Sequence, residues 1–415
     1  MGQHPGDSAA GAFATGPRLP YGATAILYRG AGDHLDALTI PMSLANREAP
    51  ILQVLPRGMR YSVAAATSID LFVSEVAAHS RFRVEVVAET GAPSLAAAAI
   101  HNLPSYRLAN TLRRARFIAA LAQQMRPCAI VMQQHLPSAA AVRARVAAPI
   151  ILQKHNFLRP PRRAKWTRPL SQWRHARQLN ALAGLTFVSE VVLEQFERDW
   201  PEVTTLRRVI PNGLDLETWR PGRERAKMVL TVGRATPEKG LLEAARALRE
   251  VLPKHADWTA TFVVSEADRF PAYFADFCAA LAPLGDRARV LLDRPFSDVK
   301  ALNESAAIAL VPSRWREPFG RTCLEAHAGG AAVISSGSGG LREISGEAAL
   351  MLRRVDEGTI AEALQTLIVD DALRDRLAAE SSARVARLFD VRRVAGALDD
   401  FCAEVIDRAR SQAGR

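Results

Sequence analysis

Between Pro312 and Ile344 the chain reads PSRWREPFGRTCLEAHAGGAAVISSGSGGLREI, a strand end followed by a Pro-Phe-Gly turn, a helix and a second strand. Glu317 stands before the turn and Glu325 about one and a half helical turns beyond Gly320. At such a helix start the backbone N–H groups of Phe319, Gly320 and Arg321 have no intrahelical acceptor. Together with the helix dipole they stabilise an anion such as a diphosphate. Gly320 permits close backbone approach. Carboxylates accept hydrogen bonds from sugar hydroxyls, so Glu317 and Glu325 could grip hydroxyls on both sides of a bound diphosphate. An isolated pair of glutamates would carry no such meaning; the turn between them supplies it.

A second constellation lies where the apolar run MVLTV (228–232) ends at Gly233-Arg234 and a helix begins near Pro237. Arg234 and Lys239 are two cations at a strand C-terminus, able to neutralise a diphosphate as it leaves; alone they would read as solvated loop cations. No acidic cluster of the metal-binding kind is present. The expectation is therefore no metal and no cofactor, with the two cations taking the part of a divalent ion. In the first half, AIVMQQHLPSAA (129–140) puts His135 just past a strand end, and IILQKHNFLRPP (150–161) does the same for His155. Both are expected to face a cleft, although a lone histidine can equally be structural. The run ILQVLP (51–56) leads into Arg57-Gly58.

The string EPFGRTCLEA from Glu317, with AAVI at 331–334 and GGLRE at 339–343, resembles the donor-binding signature of family 4 of the retaining glycosyltransferases, which have the GT-B fold. By that resemblance Glu317 contacts hydroxyls of the transferred sugar and Glu325 the ribose of the nucleotide. The family carries GR…PEKG where this chain has Gly233–Gly240, which implies that Arg234 and Lys239 bind the donor phosphates. His135, followed by Pro137, fits a family histidine that contacts the donor sugar; Gln133 replaces an earlier one, and His155 matches a less uniform position. Gly58 is what remains of a Gly-rich loop that approaches the donor, its partner glycine replaced by Arg57. Departures at SEADR (265–269) and LLDRPF (291–296), where relatives have glycines, leave the base undefined. RVIPNGLDLETWRP (208–221) is similar to the family's interdomain linker, with Asn212 and Gly213 expected to shape the turn. The resemblance spans about Ile51 to Ile406.

Positioning these groups requires strand C-termini on two facing sheets. Short apolar runs alternate with helical patterns such as Ser62–His79 and Ala109–Gln124, first over 51–211 and again after the turn-rich PNGLDLETWRPG (211–222). This alternation predicts an α/β chain of two doubly wound, Rossmann-like domains facing a central cleft. The expected layout is an extension over 1–48, an acceptor-side domain over 49–214, a nucleotide-sugar donor domain over 215–390, and a C-terminal helix over 391–415 packing back on the first domain.

Of the net charge of +11, all falls in residues 1–215, and Arg81–Arg177 alone holds 17 basic residues against Glu85 and Glu89. Such a field attracts an acidic acceptor, anionic lipid headgroups or nucleic acid. In LRPPRRAKWTRPLSQWRHAR (158–177), arginines alternate with Trp166 and Trp173, a mix that suits headgroups or a phosphorylated acceptor. Nucleic acid is not the expected partner. No run reaches the roughly 18 to 20 apolar residues of a membrane span, the N-terminus lacks signal-peptide order, and the four cysteines are scattered. The expectation is a cytoplasmic protein, peripheral on the inner face of a membrane. Its partners would be a nucleotide-sugar donor and a saccharide or lipid-linked acceptor, such as a cell-envelope polysaccharide or lipopolysaccharide precursor. A nucleotide-sugar epimerase or glycosyl phosphorylase on the same fold, and a basic membrane- or RNA-binding module with an inactive site, remain open alternatives.

Overall fold

The structure, a computed structural model, describes residues 49–62, 67–90, 95, 98–103, 111–160 and 168–414. The extension read over 1–48, and Trp166, lie outside the described residues. The first sheet has eight strands: β1 (Ile51–Val54), β2 (Arg60–Tyr61), β3 (Val84–Thr90), β4 (Ala99–Asn102), β5 (Ala129–Gln133), β6 (Ile150–Lys154), β7 (Gly184–Phe187) and β8 (Arg207–Val209). Their order is β2-β3-β1-β5-β6-β7-β8, with β4 beside β3, and every pairing is parallel. The second sheet contains β9 (Ala226–Arg234), β10 (Thr259–Ser265), β11 (Ala288–Leu292), β12 (Ala306–Val311), β13 (Ala332–Ser335) and β14 (Leu350–Met351). Its order, β11-β10-β9-β12-β13-β14, is that of doubly wound dinucleotide-binding sheets.

Helices cover both faces. Those of the first half are α1 (Ser68–His79), α2 (Thr111–Met125), α3 (Leu136–Arg143), α4 (Arg168–Asn180) and α5 (Glu190–Asp199). The second half contributes α6 (Leu241–Val251), α7 (Pro271–Leu281), α8 (Phe296–Ser305), α9 (Arg321–Ala328), α10 (Gly340–Ser345), α11 (Glu357–Val369) and α12 (Asp371–Phe389). Because helices lie on either side, central strands are buried on both faces and read as continuous apolar runs: ILQV in β1 and AVIS in β13 are buried throughout. The helical pattern expected from Ser62 begins at Ser68, where Thr67 and Asp70 form a capping box.

The last helix, α13 (Val391–Ala413), returns to the first half. Asp399 accepts hydrogen bonds from Ser80 Oγ (2.7 Å) and the Arg81 N–H (2.8 Å) at the end of α1. Phe401 packs over β7, where a side-chain carbon added at Gly184 would sit 2.8 Å from the ring. The two halves are also stitched at the linker, where the Leu214 N–H donates to Phe389 O and the Val391 N–H to Leu214 O, each at 2.9 Å.

In doubly wound sheets ligands bind beyond the strand C-termini where the strand order reverses. Here the reversals fall between β1 and β5 in the first sheet and between β9 and β12 in the second. Gly58 and His135 follow the first pair, and Arg234, Lys239 and Glu317 follow the second.

Candidate active site

The loops after β9 and β12 are built as one unit. After β9 the chain makes a short 3-10 turn, Pro237–Lys239, that ends at Gly240 with φ +70°. A side-chain carbon at Gly240 would lie 2.2 Å from Pro312 O, so only glycine lets the two loops meet. The Arg314 N–H then donates to Glu238 O at 2.7 Å. This packing delivers Lys239 to Glu317: Lys239 Nζ donates to Glu317 Oε1 at 2.6 Å, and Ser313 Oγ donates to the same oxygen at 2.6 Å. Glu317 is buried, and its backbone is fixed by a bridge to Gly339 and by the Gly340 N–H, which donates to Glu317 O at 2.9 Å. Arg234 stands more loosely at the end of β9, half exposed, 3.7 Å from Glu266 and 4.0 Å from Glu238.

Gly320 is the N-cap of α9, with φ +108° and no side-chain cap. A side-chain carbon there would meet Leu341 Cδ2 at 2.3 Å. The Cys323 N–H closes a tight turn onto Gly320 O at 2.9 Å, and the Arg321 and Thr322 N–H groups at the start of α9 are left to a ligand. Phe319 contributes backbone; its ring packs on Phe389 at 5.9 Å, while Pro318 O accepts from Ser189 Oγ of the first half. Gly320 and the residues on either side line a cavity of about 430 Å³, together with Gly233, Arg234, Lys239 and Glu317.

Arg321 and Glu325 are arranged differently from a pair of ligand contacts. Arg321 is buried; its Nε donates to Glu325 Oε1 at 2.8 Å and its terminal nitrogens to Glu75 of α1 at 2.8 and 3.1 Å. Burial opposes the charge, yet the two carboxylates hold the Arg321 pKa above its ordinary value. Burial raises the Glu325 pKa. Glu325 is not among the cavity-lining residues, and one of its oxygens is committed to Arg321.

The structure separates the two histidines of the first half. His155 lines the cavity. Its Nε2–H donates to Gln133 Oε1 at 2.6 Å, its ring meets Phe72 edge-on, and burial drives its pKa down to about 3, so it is a neutral imidazole. Gln133 Nε2 in turn reaches Gln53 Oε1 at 2.7 Å. His135 is exposed and does not line the cavity; it caps α3, its Nδ1 accepting from the Ser138 N–H at 3.3 Å. His135 stands two residues past β5 as the N-cap of α3, whereas His155 lies in the bend immediately after β6. Gly58, at φ +80°, is also outside the cavity, and its N–H donates to Glu89 Oε1 at 3.1 Å.

Several lining residues, among them Asn212, Trp315 and Asp293, were not singled out as ligand contacts from the sequence. Asn212, read as a linker residue, is buried with an Oδ1 that has no partner, and Trp315 has a buried Nε1–H without an acceptor. Asp293 follows β11 with φ +45°. A polar side chain inside PNGLD or PSRWRE gives no signal of its own; its place depends on how the linker crosses between the sheets.

Comparison with known proteins is consistent with this geometry. A family model described as glycosyl transferases group 1 matches residues 218–384, and one described as glycosyltransferase family 4 matches residues 65–218. A D-inositol 3-phosphate glycosyltransferase of Corynebacterium glutamicum is 32% identical over 200 residues, which cover 44% of this chain and 47% of that protein. The lipopolysaccharide core biosynthesis mannosyltransferase LpcC of Rhizobium leguminosarum is 27% identical over 197 residues, covering 44% of this chain and 56% of that one. The chain thus spans about half the length of these curated relatives. Among solved structures, sucrose-phosphate synthase from Thermosynechococcus elongatus superposes with a TM-score of 0.68 at 18% identity, over 87% of this chain and all of that one. Anabaena HepE in complex with UDP and glucose does so with a TM-score of 0.67 at 16% identity, over 85% and 99%.

Proposed function

The chain belongs to the family 4 glycosyltransferases of the GT-B fold, and from that premise we propose that it transfers a hexose-type sugar from a nucleotide-diphosphate donor, with retention at the anomeric carbon. The observation that carries this reading is the buried Glu317 carboxylate, held by Lys239 and Ser313 beside the uncapped N-terminus of α9. One wall of the cavity thus offers an acceptor for sugar hydroxyls, and the adjoining wall offers donors for phosphate oxygens. HepE, whose fold is shared, is described with UDP-glucose, which supports a nucleotide sugar as the ligand class.

In the proposed reaction the bond between the anomeric carbon and the diphosphate oxygen breaks while an acceptor hydroxyl attacks from the same face. The hydroxyl proton passes to the departing phosphate oxygen. Negative charge builds on the diphosphate, where Lys239, Arg234 and the N–H groups of α9 meet it. These cations stand where a divalent metal would act, so the reaction is proposed to run without one. Glu317 orients the sugar, and the neutral His155 offers a polar edge that adds no competing charge.

The proposed acceptor is a lipid-linked or cell-envelope saccharide reached from an anionic membrane surface. Supporting this are the net charge of +11 confined to residues 1–215, the exposed Leu170 and Trp173 beside Arg174 and Arg177 on α4, and the relative that acts in lipopolysaccharide core biosynthesis. Among the described residues no helix is long and apolar enough to cross a membrane.

The test is incubation of the purified chain with UDP-, GDP- and ADP-sugars, with and without lipid-linked acceptors. A transferase releases nucleoside diphosphate in step with acceptor, and the product anomer matches the donor's. Release of an isomerised nucleotide sugar without acceptor would instead indicate an epimerase, and consumption of inorganic phosphate a phosphorylase.

A further inference from the structure

The cavity extends from the diphosphate-binding turns toward β11, and the residues at that end have a defined chemistry. β11 lies two strands from β9, about 10 Å at ordinary strand spacing, on the side away from α9. A nucleotide with its diphosphate at Gly320 and Lys239 therefore has its base over β10 and β11. There the cavity is walled by Val263 of β10 and Val299 of α8, which belong to one apolar cluster and offer a surface suited to the face of a flat ring. Past them stands Asp293. Its N–H donates to Val264 O at 3.0 Å, which anchors the left-handed turn, and its carboxylate has no hydrogen bond or ion pair among the described residues. The neighbouring Arg294 is engaged by Asp298 at 2.8 Å, so it does not neutralise Asp293.

We infer that this pocket selects a guanine nucleotide and that Asp293 is the residue that makes the selection. The inference rests on reading the cavity as the nucleotide-sugar site. A carboxylate is acceptor-only. Guanine presents two adjacent donors, N1–H and the exocyclic N2 amine, which match the two oxygens of one carboxylate. Uracil presents a single N3–H flanked by two carbonyl oxygens, each repelled by the carboxylate. Adenine and cytosine set a ring-nitrogen acceptor beside their amine, so one contact is favourable and the other is not. Asp293 is exposed, so the preference comes from the two charge-assisted hydrogen bonds that guanine makes where the other bases make at most one.

Calorimetric titration of the full chain with GDP, UDP, ADP and inosine diphosphate tests this. GDP is expected to bind at least tenfold more tightly than UDP or ADP. Inosine diphosphate, which lacks the exocyclic amine, should fall between them. In Asp293→Ala, GDP and UDP should bind about equally, GDP more weakly than to the parent chain and UDP no more weakly, because the carboxylate that repels the uracil carbonyls is gone. Asp293→Asn, whose side chain tolerates the left-handed turn, should lose most of the preference with an unchanged melting temperature. UDP or ADP binding as tightly as GDP to the parent chain, inosine diphosphate binding as tightly as GDP, or a GDP preference surviving in both variants would overturn the inference. Failure of every nucleoside diphosphate to bind would instead remove the donor-site reading, and this inference with it.

Discussion

Arg321 of α9 reaches out of the second half of the chain and donates to both carboxylate oxygens of Glu75 on α1, at 2.8 and 3.1 Å. The same guanidinium holds Glu325, so one planar fork joins a carboxylate from each half. All three side chains are mostly shielded from water. Removing the cation would leave two buried carboxylates unpaired, which costs about 3–5 kcal/mol in comparable sites. Arg321→Ala is therefore expected to lower the urea midpoint strongly, Arg321→Lys to lose part of that, and Glu75→Gln to cost least because the Arg321–Glu325 pair survives. Equal, small effects from all three would mean that the triad contributes little.

Lys239 and Glu317 set up a second test, this time of chemistry. Their 2.6 Å contact holds the ammonium on the cavity that the α9 N-terminus also lines, where departing diphosphate charge is proposed to collect. Lys239→Met should reduce kcat by about a hundredfold or more, the range seen when one oriented donor to a developing anion is lost. Glu317→Gln keeps the shape and an acceptor oxygen while removing the charge, and should raise the donor KM more than it lowers kcat. Steady-state kinetics on both variants separates the two roles, and an unchanged kcat in Lys239→Met would take the ammonium out of the reaction.

Much of this arrangement was legible in the residues. Parallel strands buried on both faces leave runs such as AIVMQ and IILQK, and these coincide with β5 and β6. Gly320 was readable as a glycine that allows close backbone approach at a helix start; that Leu341 fills the space a side chain would need was not. Other features were not. The strand β4 (Ala99–Asn102) emerges from the run AAAAI, whose composition favours helix, and only pairing with β3 makes it extended. His135 and His155 look equivalent as strand-end histidines; the start of α3 turns one into a cap. The tie of Arg321 to Glu75 was hidden as well, because the two residues stand 246 positions apart.

Gly320 itself offers the sharpest steric prediction. Its φ of +108° lies outside the range that side chains adopt readily, and an added carbon would stand 2.3 Å from Leu341 Cδ2. Gly320→Ala combines backbone strain with overpacking and should destabilise the chain by roughly 2–4 kcal/mol. Because the α9 N–H groups would tilt away from the cavity, nucleotide affinity should fall as well. A double comparison settles the cause: Leu341→Ala, which opens space next to Gly320, should recover part of the lost stability in the Gly320→Ala background. Strict additivity of the two substitutions would show that the side-chain clash is not the source.

Lys154, at the end of β6, carries the last prediction. Its side chain is buried, its Nζ donates to Gln134 O at 2.7 Å, and it has no carboxylate partner within ion-pair distance among the described residues. Burial pushes its pKa down to about 7. The unfolded chain keeps a proton on this amine up to about pH 10.4. Between pH 7 and 10 the unfolded state therefore binds more protons than the folded state, and stability rises with pH across that window. Below pH 7 both states are protonated and the folded protein bears the full cost of a buried ammonium. Lys154→Met should consequently be more stable than the parent chain at pH 6, by a few kcal/mol, with the advantage shrinking steadily toward pH 10. Urea unfolding at pH 6, 7, 8 and 9 measures the slope. Parallel stability curves for the two proteins across that range would show that Lys154 keeps an ordinary pKa in the folded chain.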